Sequence, residues 1–158
     1  MKTVAVVTGG TKGIGKAIIR ELASNGFDII SCSRTKSDLE ELKSEIQNDF
    51  NVPISTYQVD MSQENEVKKF AKSVLSETEG VEILVNNTGV FIPGQIHTEE
   101  EGTLEKMINT NLYSAYHLTR ALISKMKENK KGHVFNICST ASFIPYVDGG
   151  SYCISKFA

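Results

Sequence analysis

Tyr152 and Lys156 stand four residues apart, and Ser139 lies thirteen residues before the tyrosine. On a helix, side chains at i and i+4 share one face. A free phenol titrates at about 10, too high for acid–base work at neutral pH. An adjacent ammonium stabilises the phenolate and lowers that value. Such a pair can give a proton to a carbonyl oxygen or take one from an alcohol, and a serine hydroxyl can hydrogen-bond the same oxygen. A bare Tyr-x-x-x-Lys is common by chance, so its companions and its place in the chain must give it meaning.

The second group is Thr8-Gly9-Gly10-Thr11-Lys12-Gly13-Ile14-Gly15, directly after the apolar run at residues 4–7. Glycines let a backbone turn sharply and approach a phosphate closely, and the N-terminus of a following helix offers free N–H groups and partial positive charge. The spacing is G-x-x-x-G-x-G rather than G-x-G-x-x-G, and the Gly-Lys-Ser/Thr ending of a nucleotide triphosphate loop is missing. NAD-selective folds place a carboxylate at the end of the second strand. Here that end reads Ser31-Cys32-Ser33-Arg34; Asp28 is at the strand's start and Asp38 falls in the next helix. Arg34 and Lys12 are instead placed for a 2′-phosphate. The expectation is NADP(H), with NAD less favoured.

These groups need a frame. Residues 4–7 and 28–33 are short, largely apolar runs that suit strands buried on both faces. Residues 54–59, 81–85 and 133–138 supply a third, fourth and fifth strand. Between them, Ile14, Ala17, Ile18 and Leu22, then Leu39, Leu42 and Ile46, then Val67, Phe70, Val74 and Leu75 recur at helical spacing. Ser37 with Glu40, and Thr98 with Glu101, have capping-box spacing. The second pair predicts one long helix, with Leu104, Ile108, Leu112, Ala115, Thr119 and Leu122 facing inward, ending near Lys130. A last helix begins at Asp148. Strands alternating with helices predict an α/β fold, a doubly wound parallel sheet of about five strands. Ser139 then stands at the C-terminal end of the fifth strand, where such sheets gather ligands.

The 158 residues suit one domain, residues 1–158. With 40% apolar and 23% charged residues and a net charge of −2, the composition gives no cause to expect nucleic acid or a membrane surface as partner. Cys32, Cys138 and Cys153 have no paired or zinc-binding spacing, which predicts no metal and fits a reducing cytoplasm. Residues 1–7 read as a first strand rather than a leader peptide.

The chain resembles the short-chain dehydrogenase/reductase family, in its NADP-preferring type, across residues 1–158. Residues 8–15 are similar to the family's cofactor loop, Val59-Asp60-Met61 to its adenine-contacting segment and Asn86-Asn87-Thr88-Gly89 to its Asn-Asn-Ala-Gly turn. Asn111-Leu112 is similar to its fourth catalytic position, completing a tetrad with Ser139, Tyr152 and Lys156. The resemblance implies a Rossmann-like oxidoreductase that interconverts a small-molecule carbonyl and alcohol. Tyr152 would be the acid or base, Lys156 would hold the nicotinamide ribose, Ser139 would steady the substrate oxygen, and Asn111 would hold a water leading to Lys156. It implies NADP(H) contacts at Gly9, Thr11, Lys12, Gly13, Ile14, Gly15, Ser33, Arg34, Asp60, Met61, Asn87, Gly89, Tyr152 and Lys156, and homo-oligomers. Two departures are expected to matter. Thr88 stands where the family has alanine, which would shift cofactor geometry. The last third of the family fold, with two further strands and the substrate lid, is not found after Ala158, so weak or no turnover is expected. A non-catalytic dinucleotide-binding or redox-sensing module is the alternative.

Overall fold

The structure, a computed structural model, describes residues 3–158. Five strands, β1 (Val4–Thr8), β2 (Asp28–Ser33), β3 (Ile54–Gln58), β4 (Ile83–Asn86) and β5 (His133–Asn136), form one parallel sheet in the order β3-β2-β1-β4-β5. β1 is central because every one of its residues is apolar or able to bury its polar atom, and all five are buried. Successive side chains of a strand point to opposite faces. Val4 and Val6 enter one core with Val67, Phe70 and Val74 of α3 (Glu64–Glu77) and Leu118 and Leu122 of α5 (Ser114–Glu128). Ala5 and Val7 enter the other, with Ile19 and Ala23 of α1 (Gly13–Ser24) and Leu42 and Ile46 of α2 (Lys36–Phe50). The molecule is therefore three layers, helices on both faces of the sheet.

From β1 the chain winds outward to β2 and β3, then returns across β1 to begin β4. The connections above β1 and β4 leave in opposite directions, and that divergence opens a crevice at their C-terminal ends. Both groups of residues with chemical potential lie at this end of the sheet.

Several expectations are corrected. In α1 the core face is Gly15, Ile19 and Ala23, while Ile14 is 61% exposed. Ile18 and Leu22 only flank the core. In α3 the inward residue beside Val74 is Ala71, not Leu75, which is exposed. Neither capping box forms. α2 begins at Lys36, which puts Ser37 inside its first turn, and Thr98 lies in a turn well before the next helix.

The long helix is three pieces: α4 (Thr103–Ile108), a π-helical turn (Asn109–Tyr113) and α5. Gly102 opens it in the left-handed region, φ 86°. Its buried stripe is Met107, Thr110, Ser114, Leu118, Leu122 and Met126. Of the expected set only Leu122 is buried; the others are half-buried along a neighbouring face. Two polar residues occupy the stripe because each hydroxyl donates to a carbonyl four residues back, Thr110 to Lys106 at 2.8 Å and Ser114 to Thr110 at 2.6 Å.

After β5 a short 3-10 turn (Thr140–Ser142) leads to α6 (Gly150–Phe157), which carries Tyr152 and Lys156. The N-terminus of α6 is held from outside. Glu99 accepts the Ser151 N–H at 2.8 Å and also the Ser151 hydroxyl, and Ser151 is 3% exposed. A carboxylate there also suits the positive end of the helix. The preceding loop is tied at Asp148, whose carbonyl accepts from Gly94 N at 3.0 Å and whose carboxylate accepts from Gln95 at 2.9 Å. Glu99→Ala would leave a buried N–H and hydroxyl unpaired. Urea unfolding should show a loss of about 1–3 kcal/mol, and Glu99→Gln, which keeps an acceptor oxygen, should recover part of it. Equal stability of Glu99→Ala and the unmodified chain would remove Glu99 as the anchor of α6.

Candidate functional site

The crevice contains a cavity of about 510 Å³ lined by Gly9, Thr11, Lys12, Ser33, Arg34, Asp38, Asp60, Met61, Asn87, Thr88, Gly89 and Lys106, among others. Four connections build it, from β1, β2, β3 and β4. The wall between β1 and β4 is fastened by two side chains. The Thr8 hydroxyl accepts the N–H groups of Asn87 and Thr88, each at 3.0 Å. The Asn87 amide donates to the Thr8 and Gly9 carbonyls at 2.9 and 3.1 Å.

Inside that fastening the glycine loop has no room for a side chain at Gly10 or Gly15. Gly9 has φ +64°, and a Cβ on Gly15 would collide with the Gly9 carbonyl. The loop thus packs directly on the first turn of α1, where no side chain caps the helix and no acid is present. The free N–H groups and positive end of α1 are left to an anion. At the far side stand the cations Lys12 and Arg34. The Arg34 guanidinium makes no ion pair with a described residue, whereas Lys12 lies 2.7 Å from Asp38. The Lys12–Asp38 hydrogen bond raises the pKa of the lysine.

Of the residues expected around a dinucleotide, Gly9, Thr11, Lys12, Ser33, Arg34, Asp60, Met61, Asn87 and Gly89 line this cavity. Gly13, Ile14 and Gly15 do not; they form the start of α1 behind the loop. Asp60 spends one carboxylate oxygen on the Ser62 N–H and hydroxyl, at 3.0 and 2.8 Å. The Met61 side chain is 4% exposed and packs in the core, with Cys32 Sγ 3.7 Å from its sulfur. Thr88 lines the cavity beside Asn87 and Gly89. Its hydroxyl is buried without a partner and lies 3.1 Å from where a Gly9 Cβ would be. Asp38, Lys106 and Thr110 are lining residues that spacing did not reveal. Asp38 had been set aside as helical, and it is its first-turn position on α2 that turns it back to the cavity.

Asn111 and Lys156 stand beside this cavity, next to Gly89. Asn111 sits in the π turn, a kind of helical defect found at functional sites. Its Oδ1 accepts from Val90 N at 2.8 Å, and its Nδ2 donates to the Val90 carbonyl at 3.0 Å and to Ser155 Oγ at 2.9 Å. Asn111 therefore pins the loop after β4 to α6. Lys156 Nζ donates to the Ile137 carbonyl at 3.1 Å. Gly89 marks the meeting of the two groups: a Cβ there would lie 3.3 Å from Asn111 Oδ1 and 3.8 Å from Lys156 Nζ. Tyr152 stands edge-on to Phe91, ring centroids 4.7 Å apart. Ser139 Oγ accepts from Ala141 N at 3.2 Å, which leaves its proton free to donate. Exposed apolar side chains surround this end, Phe91, Ile96, Phe143, Ile144, Tyr146 and Val147.

Other chemistry finds less support. Cys32 is fully buried, and burial pushes its thiol up to about 12, so it supplies no thiolate at neutral pH. No group of three His, Cys, Asp or Glu side chains among the described residues is placed to hold a metal, and no described helix is long and apolar enough to cross a membrane.

Comparison with known proteins agrees with this geometry. The short chain dehydrogenase family matches residues 3–158. The chain is 38% identical over 145 residues to the very-long-chain 3-oxoacyl-CoA reductase of Mus musculus, covering 89% of this chain and 46% of that protein. It is 31% identical over 154 residues to an NADP-dependent 3-hydroxy acid dehydrogenase of Salmonella typhi, covering 97% of this chain and 60% of that one. The crystal structure of a metagenomic short-chain oxidoreductase in complex with NADP superposes with a TM-score of 0.92 at 35% identity, covering 98% of this chain and 70% of that chain. The chain thus spans about half to three-fifths of the length of these two curated relatives. A match across all the described residues, with the Rossmann-like sheet and the loop that the family shares, places this chain in the short-chain dehydrogenase family of oxidoreductases.

Proposed function

We propose that this chain carries the NADP(H) site and the proton-transfer group of an oxidoreductase that interconverts a carbonyl and an alcohol. The observation that carries the reading is the shared wall of the two sites. Gly89 lines the dinucleotide cavity and, at the same residue, abuts Asn111 and Lys156. The cavity fits a dinucleotide in three respects: a loop with glycine where a Cβ would collide, an uncapped helix N-terminus behind it, and two cations, Lys12 in the loop and Arg34 at the end of β2, with no acid on the strand tip. The NADP complex of the structural relative and the NADP dependence of the bacterial relative support the choice of cofactor.

The dinucleotide, when bound, supplies or accepts the hydride. The chain's own residues handle the proton and the geometry. Tyr152 gives its phenolic proton to the carbonyl oxygen in reduction and takes it from the hydroxyl in oxidation. Lys156 shares the helix face with Tyr152 and would hold the nicotinamide ribose. Ser139, its oxygen occupied by the Ala141 N–H, donates its hydroxyl hydrogen to the substrate oxygen. Asn111 keeps the loop after β4 and α6 in register through Val90 and Ser155. Phe91 backs the phenol ring, and the apolar rim suits a carbonyl with a hydrocarbon substituent. The 3-oxoacyl and 3-hydroxy acid relatives support a 3-oxygenated acyl compound as the substrate class.

Two measurements test this. In calorimetric titration the chain should bind NADPH, and Lys12→Ala combined with Arg34→Ala should weaken that binding at least about tenfold, the loss of roughly one charge-assisted hydrogen bond, with NADH little affected. Equal losses for both dinucleotides would remove the 2′-phosphate assignment. In a carbonyl-dependent NADPH oxidation assay, Tyr152→Phe should lower the rate by about 10²–10⁴-fold while leaving NADPH affinity within about twofold. NADPH binding with no carbonyl-dependent oxidation by the unmodified chain would favour the non-catalytic binding module instead.

A further inference from the structure

One of the two cations in the candidate 2′-phosphate pocket is already paired. Lys12 Nζ lies 2.7 Å from Asp38 Oδ2. The lysine side chain is 77% exposed and the aspartate 23%, so the carboxylate is the fixed partner and the flexible ammonium reaches to it. Glu41, one turn further along α2, adds attraction for the same ammonium. Arg34, across the same cavity, has no carboxylate partner among the described residues and is exposed. Two cations face the pocket, and one carries an internal anion.

We propose that Asp38 is a specificity-determining residue that competes with the 2′-phosphate for Lys12, an inference that rests on the NADP(H) reading of this cavity. A phosphate entering the pocket takes the ammonium from Asp38 and lies beside an uncompensated carboxylate. A dinucleotide with a plain ribose hydroxyl meets no such repulsion. Asp38 therefore narrows the preference for NADP(H) over NAD(H), and Arg34 carries most of the remaining discrimination. The pairing also keeps Lys12 from swinging free over the glycine loop before the anion arrives.

Titration calorimetry with adenosine 2′,5′-bisphosphate and adenosine 5′-monophosphate isolates this corner of the site from any chemistry. Asp38→Asn should tighten the bisphosphate by about two- to fivefold, the scale of an exposed ion pair, and change the monophosphate by less than about twofold. Asp38→Ser, which keeps a polar side chain in the first turn of α2, should do the same, with thermal melts confirming that each variant is folded. The gain should vanish in the Lys12→Ala background, because the coupling runs through that ammonium, and it should shrink as salt is raised. Bisphosphate binding of equal strength in the unmodified chain and both variants overturns the inference and leaves the NADP(H) reading intact. Weakened monophosphate binding with unchanged bisphosphate binding also overturns it, and makes Asp38 a reader of the ribose hydroxyl. Failure of every form of the chain to bind either probe overturns the dinucleotide reading, and this inference with it.

Discussion

The crosslink between the C-terminal ends of β1 and β4 is the constraint on which the site depends. A parallel sheet that reverses its winding direction leaves a gap where the two connections part, and nothing in backbone pairing alone closes it. Here the Thr8 hydroxyl takes two N–H groups from the β4 turn, and the Asn87 amide returns two hydrogen bonds to the β1 turn. Four polar contacts set the width of the crevice. They also fix the Gly9 carbonyl, against which Gly15 packs too closely for any side chain. The start of α1 is thereby held directly behind the loop, with no side chain capping it.

The second group of residues is attached to the first by the same kind of contact. Asn111 is held in a widened helical turn and clasps Val90 by both backbone polar groups while bonding Ser155. Glu99 holds the other end of α6 at Ser151. The helix that bears Tyr152 and Lys156 runs over Gly150–Phe157. Its position therefore comes from these tertiary anchors and from Ser151, Cys153 and Ser155, which it buries. Apolar packing builds the sheet and its two helical layers; polar contacts between loops place the chemistry.

This division explains what the sequence made legible. The presence of the strands and the fold class followed from β-branched runs such as residues 4–7, because burial on both faces leaves a continuous apolar signature. Gly9, Lys12 and Arg34 were legible as cavity residues because their spacing from a strand end is local, and Asn87 through the resemblance of its turn to the family's. The stripe on α4 and α5 was misread because Thr110 and Ser114 satisfy their hydroxyls within the helix and so can replace apolar residues in the core. The π turn shifts the register of everything after it, and no periodicity announces it. Glu99 and Lys106 escaped notice for a different reason. The Ser151 that Glu99 holds lies in an element distant in sequence, and a charged residue in a polar stretch looks like ordinary solvated surface.

Thr88 shows how tightly the crosslink is built. A β-branched residue in the turn after β4 puts a hydroxyl into a space where no acceptor or donor meets it, and an unpaired buried hydroxyl costs about 1–3 kcal/mol. Its backbone N–H is nevertheless one of the two that the Thr8 hydroxyl receives. The residue is thus held by its main chain while its side chain crowds the place where Gly9 would carry a Cβ. Any change that widened the turn to relieve the hydroxyl would also lengthen the contacts at Thr8. The loop is confined from the α1 side by Gly15 and from the β4 side by Thr88, so the crevice keeps its width because neither wall can move without breaking the crosslink that joins them.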